Sequence, residues 1–363
     1  MISRLHVQDF TCFADVDLHL GPLNVFVGEN GTGKTHLLKL LYLLRRVGSR
    51  SHMAHSVGYG EPPLPIAWAQ VFREEAEQTL GGVFLTDSPG SLVRWDAVRA
   101  ELRAWSQGPA HVGVAVEPSG RVTALTEPGA QYPPEDSWLE GDASFLQTRD
   151  VLTEEPGMAR IYEDYEIRED ASVRDLIEAL RGPPRKWQSL DPSIQRVLAD
   201  LETAVGGKPE SVDEHWFLVT PASRRIPATL AAEGHRRLAT LAALLTRSRL
   251  GPGWLLLWDE PEANLNPALI RVVAKALVDL AVAGIQVCIA THSLFLLREV
   301  SLLLANRAPR LPARYFGLHA SPAGTTVSQG DTIEDVGDIR SLDEDLDQAS
   351  RYLDVESGVE GRG

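Results

Sequence analysis

The stretch GENGTGKT, Gly28 to Thr35, carries the most specific chemistry in the chain. It fits the phosphate-loop pattern G-x-x-x-x-G-K-[ST]. A polyphosphate needs many donors close to the backbone. Gly28, Gly31 and Gly33 permit that approach, and the start of a following helix adds partial positive charge. Lys34 would reach the β- and γ-phosphates and Thr35 would ligate Mg²⁺, while Glu29, Asn30, Thr32 and His36 complete the segment wrapped around the nucleotide. A second stretch, WLLLWDEPEANLNP at 254–267, brings two acids to the end of an apolar run. Asp259 would hold the metal and Glu260 would activate a water against the γ-phosphate. The third is IATHS, where His292 follows another apolar run. A neutral imidazole on that rim can hydrogen-bond a γ-phosphate and orient the attacking water.

These residues need strands to aim them. Residues 2–20 alternate, with Val16, Leu18 and Leu20 on one side and Asp17 and His19 on the other. Gly21–Pro22 predicts a hairpin turn into LNVFV (23–27), whose unbroken apolar run suits a strand buried on both faces. THLLKLLYLLRRV (35–47) has helical leucine spacing. YGEPPLP and YPPEDS read as breaks, and HVGVAVEPSGRVTAL (111–125) reads as a hairpin about Pro-Ser-Gly. Segments 171–182 and 191–207 read as capped helices ending at glycine. From 216 onward, WFLVT, GWLLLWDE and IQVCIATHS alternate with the helical patterns RRLATLAALLTR and NPALIRVVAKALVDLAVAG. That alternation predicts a mostly parallel sheet covered on both faces.

At 363 residues and 44% hydrophobic, the chain can bury one elaborated core or two. Its net charge of −15 is concentrated in the acidic segment 331–363, which argues against nonspecific nucleic-acid binding at that end. Cys12 and Cys288 cannot build a disulfide framework, which fits a reducing compartment. No apolar run reaches the roughly 18 residues of a membrane span, and MISRLHVQDF lacks a signal-peptide core. A soluble cytoplasmic protein is expected, with no membrane partner.

The order Gly-Lys-Thr, Asp-Glu, His resembles the ABC-type ATPase head, and more closely its RecF/SMC/OLD-like branch, over roughly residues 1–47 and 216–320. The opening, with FTCF before GPLNVFVGENGTGKT, and the segment FLVTPASRR carry the same resemblance. It implies an α/β P-loop NTPase fold with a mixed sheet, N-terminal antiparallel strands beside a parallel core. The head would be discontinuous, 1–47 and 216–330, interrupted by a mainly helical insertion at 48–215 containing the 111–125 hairpin, and followed by the acidic segment 331–363. It implies ATP and Mg²⁺ as ligands, Glu260 as catalytic glutamate, His292 as switch histidine, and Asn264 and Asn266 of EANLNP as contacts across a dimer.

Heads of this type close on ATP head to tail, each nucleotide meeting a Ser-Gly-Gly turn of the partner. AAEGHRR occupies that slot: Gly234 matches the second glycine, Ala232 stands for the serine and Glu233 for the first glycine, with His235 and Arg236 following. Leu238, Leu241 and Leu245 give the next helix an apolar face. Glu233 would repel a phosphate unless it turns away, and Arg236 or Arg237 would supply compensating charge. The expected dimer is therefore weaker than one bearing the serine. The resemblance further implies a separate effector (a nuclease, a toxin or DNA), in genome maintenance or antiphage defence. A nucleic-acid surface would draw on Arg45, Arg46, Arg50, Arg224 and Arg225.

Other readings meet specific obstacles. An ABC-transporter ATPase subunit would carry Ser-Gly-Gly and a shorter insert. A nucleotide-gated scaffold with incidental turnover would not need Glu260. A nuclease needs a metal constellation; SLDEDLD (341–347) reads as an acidic helix, His52 and His55 as incidental, and 293–363 as too short for a nuclease domain beyond the head. Gln70 and Gln188 are both available as the glutamine that senses Mg²⁺ in such heads, and neither has a distinctive pattern. Lys34→Ala is expected to abolish ATP binding in isothermal titration calorimetry; wild-type affinity would remove the loop from its role.

Overall fold

The computed structural model describes residues 1–58, 65–106, 111–125, 141–153, 170–213, 215–248, 250–306, 311–339, 344, 347–348 and 350–353. Most of YGEPPLP, all of YPPEDS, the side chains of His52 and His55, and most of SLDEDLD lie outside the described residues.

In chain order, β1 (Arg4–Phe10) and β2 (Phe13–His19) are followed by β3 (Leu23–Gly28), α1 (Lys34–Gly58) and α2 (Pro65–Phe84). Next come β4 (Ala100–Trp105), β5 (His111–Val116), β6 (Val122–Leu125), β7 (Ala143–Leu146), α3 (Ala171–Arg181) and α4 (Pro192–Val205). Then follow β8 (Lys208–Val212), β9 (His215–Val219), β10 (Arg225–Pro227), α5 (Glu233–Arg247), β11 (Leu255–Asp259) and α6 (Pro267–Val282). The last are β12 (Gln286–Thr291), α7 (Leu294–Ala305), β13 (Ala313–His319) and β14 (Thr326–Gly330).

Among the described residues the strands form three sheets. An antiparallel sheet runs β2-β1-β4-β5-β6, a mixed one runs β14-β13-β3-β12-β11-β7, and β10-β9-β8 form a small antiparallel third. In the mixed sheet every neighbouring pair is parallel except β13–β14. The period of two along its strands divides the interior. Phe26, Leu255, Leu257, Cys288 and Ala290 face α1 and the antiparallel sheet. Val25, Val27, Leu256, Trp258, Val287 and Ile289 face α3 to α6. Residues 40–49 of α1 are all buried, as expected of a helix clamped between two sheets.

Two sequence expectations change here. Gly21–Pro22 does not turn a hairpin: β2 pairs with β1, whereas β3 lies between β12 and β13 in the other sheet. The doubly apolar LNVFV cannot share a sheet that leaves one face half exposed, so the chain crosses layers at this turn. Asn24 holds the crossing, its side chain accepting from Gly21 N at 2.7 Å and donating to Gly21 O at 2.8 Å. The segment 48–215, in turn, does not stand apart from the head. β4 pairs with β1 over Arg4–Gln8, and β7 pairs in parallel with β11. The 111–125 stretch does form paired strands, β5 and β6, but as the outer part of the head's own sheet. Local helical periodicity did not reveal these pairings, because strand partners are set by long-range register.

The insertion is also fastened by charge. Asp175 of α3 accepts from Arg46 Nε, from Arg46 Nη2 at 3.2 Å, from Arg50 Nη2 at 3.4 Å and from Tyr42 OH at 2.5 Å. Arg45, 1% exposed, donates to Gly253 O; burial lowers its pKa to about 10 against the pull of Asp142. Arg45 and Arg46 are thus interior residues and cannot belong to the nucleic-acid surface considered from sequence. Arg224 is exposed, and Arg225 reaches Glu210 at 2.9 Å. Asp175→Ala leaves the Arg46 guanidinium buried without its carboxylate. A loss of about 3–5 kcal/mol is expected in chemical denaturation; a change below about 1 kcal/mol would show that the network does not bear on stability.

Candidate nucleotide-binding site

β3, β11 and β12 are adjacent parallel strands, so their C-terminal ends share one rim, where ligands bind in open α/β sheets. Asp259 pairs with Ala290 and Val27 with Thr291, which brings the phosphate loop, the acid pair and His292 together. The loop leaves β3 at Gly28. Glu29, Asn30 and Gly31 are exposed, while Thr32 turns its hydroxyl back to Glu29 O at 2.8 Å. Gly33 has φ +92°, and a Cβ there would lie 2.5 Å from both Cys12 Sγ and Phe13 Cζ. The β1–β2 turn therefore presses on the loop at a point only glycine tolerates.

Lys34 is buried, its Nζ donating to Gly28 O at 2.7 Å and Glu29 O at 2.9 Å. An ammonium has three donors, so one remains for a phosphate oxygen. Burial lowers the Lys34 pKa, opposed by Asp259, Glu260, Glu262 and Glu29. Thr35 Oγ1 lies 2.7 Å from Asp259 Oδ2. Two ligands on adjacent corners of a Mg²⁺ octahedron sit about 2.9 Å apart, so this hydroxyl and carboxylate fit the metal by spacing and hardness. Burial raises the Asp259 pKa, countered by the Thr35 bond. The His36 ring is turned from the loop: Nδ1 is 3.1 Å from Thr11 Oγ1, and the ring meets Phe84 edge-on. Burial, then Lys39, lowers its pKa.

Glu260 has φ +47°, a left-handed backbone rarely used by a non-glycine residue. Such strain persists only where surroundings enforce it, and it concentrates at functional sites. The enforcing group is Arg237, 4% exposed. Its guanidinium donates to Glu260 O at 2.8 Å, Asp259 O at 3.2 Å and Ala263 O at 3.4 Å. Glu260 Oε1 then lies 3.3 Å from His292 Nδ1. Ser293 caps α7, its side chain accepting from Leu296 N at 3.2 Å, which fixes where β12 ends.

The 231–237 turn packs against the acid loop. α5 begins at Glu233, and its N-cap Ala232 offers no side-chain acceptor to the first-turn amides. Gly234 is buried, and a Cβ there would lie 2.5 Å from Asn264 O, so this glycine serves close approach. Glu233 turns to Asn264, accepting from its Nδ2 at 2.7 Å. Asn264 has φ +62°, and Asn266 caps α6 by accepting from Leu269 N at 3.0 Å. His235 is half-buried. Arg236 and Arg237 do not face outward as compensating charge. Arg236 pairs with Asp150 and donates to Ala231 O at 2.7 Å, and Arg237 serves the acid loop of its own chain.

Four residues escaped the sequence reading: Gln147, Asp150, Arg237 in its inward role, and Glu262. Trp258 pairs with Leu146, so Gln147 follows β7 beside Asp259 on the rim. Its amide donates to Asp170 Oδ2 and Ser172 Oγ, both at 2.8 Å. By contrast Gln70 lies exposed on α2, bonded to Glu74, and Gln188 is exposed in a short turn. A four-residue strand is a weak sequence signal; the cue was an apolar ASFL ending in a polar QTRD.

Residues 147–298 match the family described as "AAA domain, putative AbiEii toxin, Type IV TA system", and residues 1–78 match "AAA ATPase domain". An OLD nuclease of Thermus scotoductus is 50% identical over 44 residues, 12% of this chain and 8% of that protein. The DNA replication and repair protein RecF of Shewanella loihica is 35% identical over 82 residues, 22% of this chain and 23% of RecF. The RecF of Thermomicrobium roseum is 31% identical over 103 residues, 26% of each chain. The chain thus matches a minor part of each relative's length. The fold is that of the Smc head: a Pyrococcus furiosus head bound to the C-terminal domain of ScpA superposes with TM-score 0.55 at 13% identity, covering 98% of this chain and 99% of that one. A second Smc head, bound to the C-winged helix domain of ScpA, gives 0.53 at 13% identity over 92% and 98%.

Arg237→Met removes the donors that hold the acid loop. A loss of about 2–3 kcal/mol is expected from urea denaturation, because three carbonyls lose a charged partner. A change within about 0.5 kcal/mol would show that the loop holds its strained conformation unaided.

Proposed function

The chain is an ABC-type ATPase head of the RecF/SMC/OLD branch, and we propose that it binds and hydrolyses ATP between two copies arranged head to tail. The cycle regulates a separate effector or a nucleic-acid process, in DNA repair or antiphage defence, in the cytoplasm. One observation carries the reading: Lys34, the Thr35–Asp259 pair at 2.7 Å and the Glu260–His292 pair at 3.3 Å converge on one rim. Among the described residues no helix is long and apolar enough to cross a membrane.

Lys34 and the loop amides of residues 28–36 hold the phosphates. Thr35 and Asp259 hold Mg²⁺, which supplies charge neutralisation on the phosphate oxygens. Glu260 accepts the proton of the attacking water, and His292 contacts the γ-phosphate. Gln147, beside Asp259, watches the water or metal. The partner's 232–236 turn completes the site through its first-turn amides, with Asn264 and Asn266 at the seam. With Ala232 in place of a serine, one hydroxyl bond is missing, so the closed dimer is weak.

Glu260→Gln should bind ATP normally, with turnover reduced at least about 100-fold. Analytical ultracentrifugation of this variant at micromolar protein and saturating ATP should show a dimer that Lys34→Ala does not form. A persistent monomer would sink the head-to-tail reading, and near-normal turnover would remove Glu260 as base.

A further inference from the structure

We propose that Glu262 is the positioning residue of His292, taking the imidazole Nδ1–H when Glu260 engages the attacking water, so that Nε2–H is presented to the γ-phosphate. This rests on the ATPase reading and gives a role to a side chain which that reading leaves unused.

Glu262 is 8% exposed, one residue past the Pro261 that follows the strained Glu260. Its Oε1 accepts from Thr291 Oγ1 at 2.5 Å and from His292 N at 3.3 Å, so it grips the last turn of backbone before the imidazole. Its Oε2 is buried with no hydrogen-bond partner among the described residues. A buried carboxylate oxygen left unpaired costs free energy and calls for a partner that arrives at another step. His292 Nδ1 approaches the same carboxylate from the side of Oε1, so a rotation of the carboxylate is needed to pair it with Oε2. Nδ1 lies 3.3 Å from Glu260 Oε1 and 3.9 Å from Glu262 Oε1, and a shift of about 1 Å transfers it between the two carboxylates.

Once Glu260 has taken a proton from the water, its carboxyl is neutral and a weaker acceptor for the imidazole Nδ1–H. A second carboxylate keeps the ring oriented when the first is occupied, as the buried acid of a catalytic triad orients its histidine. Other charges around the pair are Lys34, Asp259 and Arg237, all electrostatically linked to this cluster. Burial raises the Glu262 carboxyl pKa, while the Thr291 bond and His292 pull it back. Donation from Nδ1 to Glu262 and from Nε2 to the γ-phosphate together require a proton on both ring nitrogens, in place of the neutral imidazole expected from sequence.

The test separates this idea from the reading beneath it. Glu262→Gln keeps the oxygen that accepts from Thr291 and His292 N but removes the charge. It should lower kcat about 10-fold or more while leaving ATP affinity and the thermal unfolding midpoint near wild type. Thr291→Val, which removes the hydroxyl that donates to Glu262 and accepts from Ser293 N at 3.0 Å, should lower kcat less than about 3-fold. Independently, ¹⁵N-histidine NMR of ATP-bound Glu260→Gln should show both His292 nitrogens protonated, identified by their loss in His292→Gln. That measurement stands even if Glu262→Gln fails to fold. Wild-type kcat in Glu262→Gln, or a singly protonated His292 in ATP-bound Glu260→Gln, would overturn the positioning role. Absence of ATP hydrolysis by the wild-type chain would instead overturn the ATPase reading itself.

Discussion

A strand buried on both faces can carry polar chemistry only at its ends, and this constraint organises the whole molecule. β3 and β12 are buried along their full length, and β11 is buried until Asp259. Parallel pairing aligns those three ends, so the loop, the acids and the histidine are neighbours because the middles of the strands are given over to apolar residues. The layers on either side enforce the arrangement. α1 and the antiparallel sheet cover one face, and α3 to α6 cover the other.

Crowding charge at one rim carries an electrostatic cost that the structure distributes. Burial disfavours the charged forms of Lys34 and Arg237 and, in the opposite sense, of Asp259 and Glu262. The acids offset Lys34 and Arg237, the two cations and the Thr35 bond offset Asp259, and the Thr291 bond and His292 offset Glu262. Arg237 adds a second service, because its donors meet backbone carbonyls rather than a carboxylate. It therefore neutralises the region while fixing the conformation of Glu260.

The parts legible in the sequence were those with local signatures. The phosphate loop, the acid pair and the histidine each sit where an apolar run meets a polar residue; the helices at 171–181, 192–205 and 267–282 follow their periodicity and caps, and 233–247 its periodicity alone. What was not legible depended on pairing at long range. The crossing at Gly21–Pro22, the recruitment of β4 and β7 into the head's sheets, and Gln147 beside Asp259 all follow from register between segments more than 80 residues apart or in different layers. The arginines were misjudged for a related reason. Arg45, Arg46, Arg236 and Arg237 look like solvated charge in a string of letters, yet each has a defined partner inside the fold.

Asp150 ties together two regions that sequence alone would treat as separate. Three residues after Gln147, it caps its own loop, accepting from Leu152 N at 3.1 Å and Thr153 Oγ1 at 2.7 Å, while pairing with Arg236 of α5. The strand end beside Asp259 and the helix that presents the 232–236 turn are thus joined by a short, stiff strut. A displacement at Gln147 would reach the outward face through these few bonds. In the proposed head-to-tail pair, that face would abut the neighbour's nucleotide, so each subunit would carry news of its own occupancy to the pocket it completes for the other.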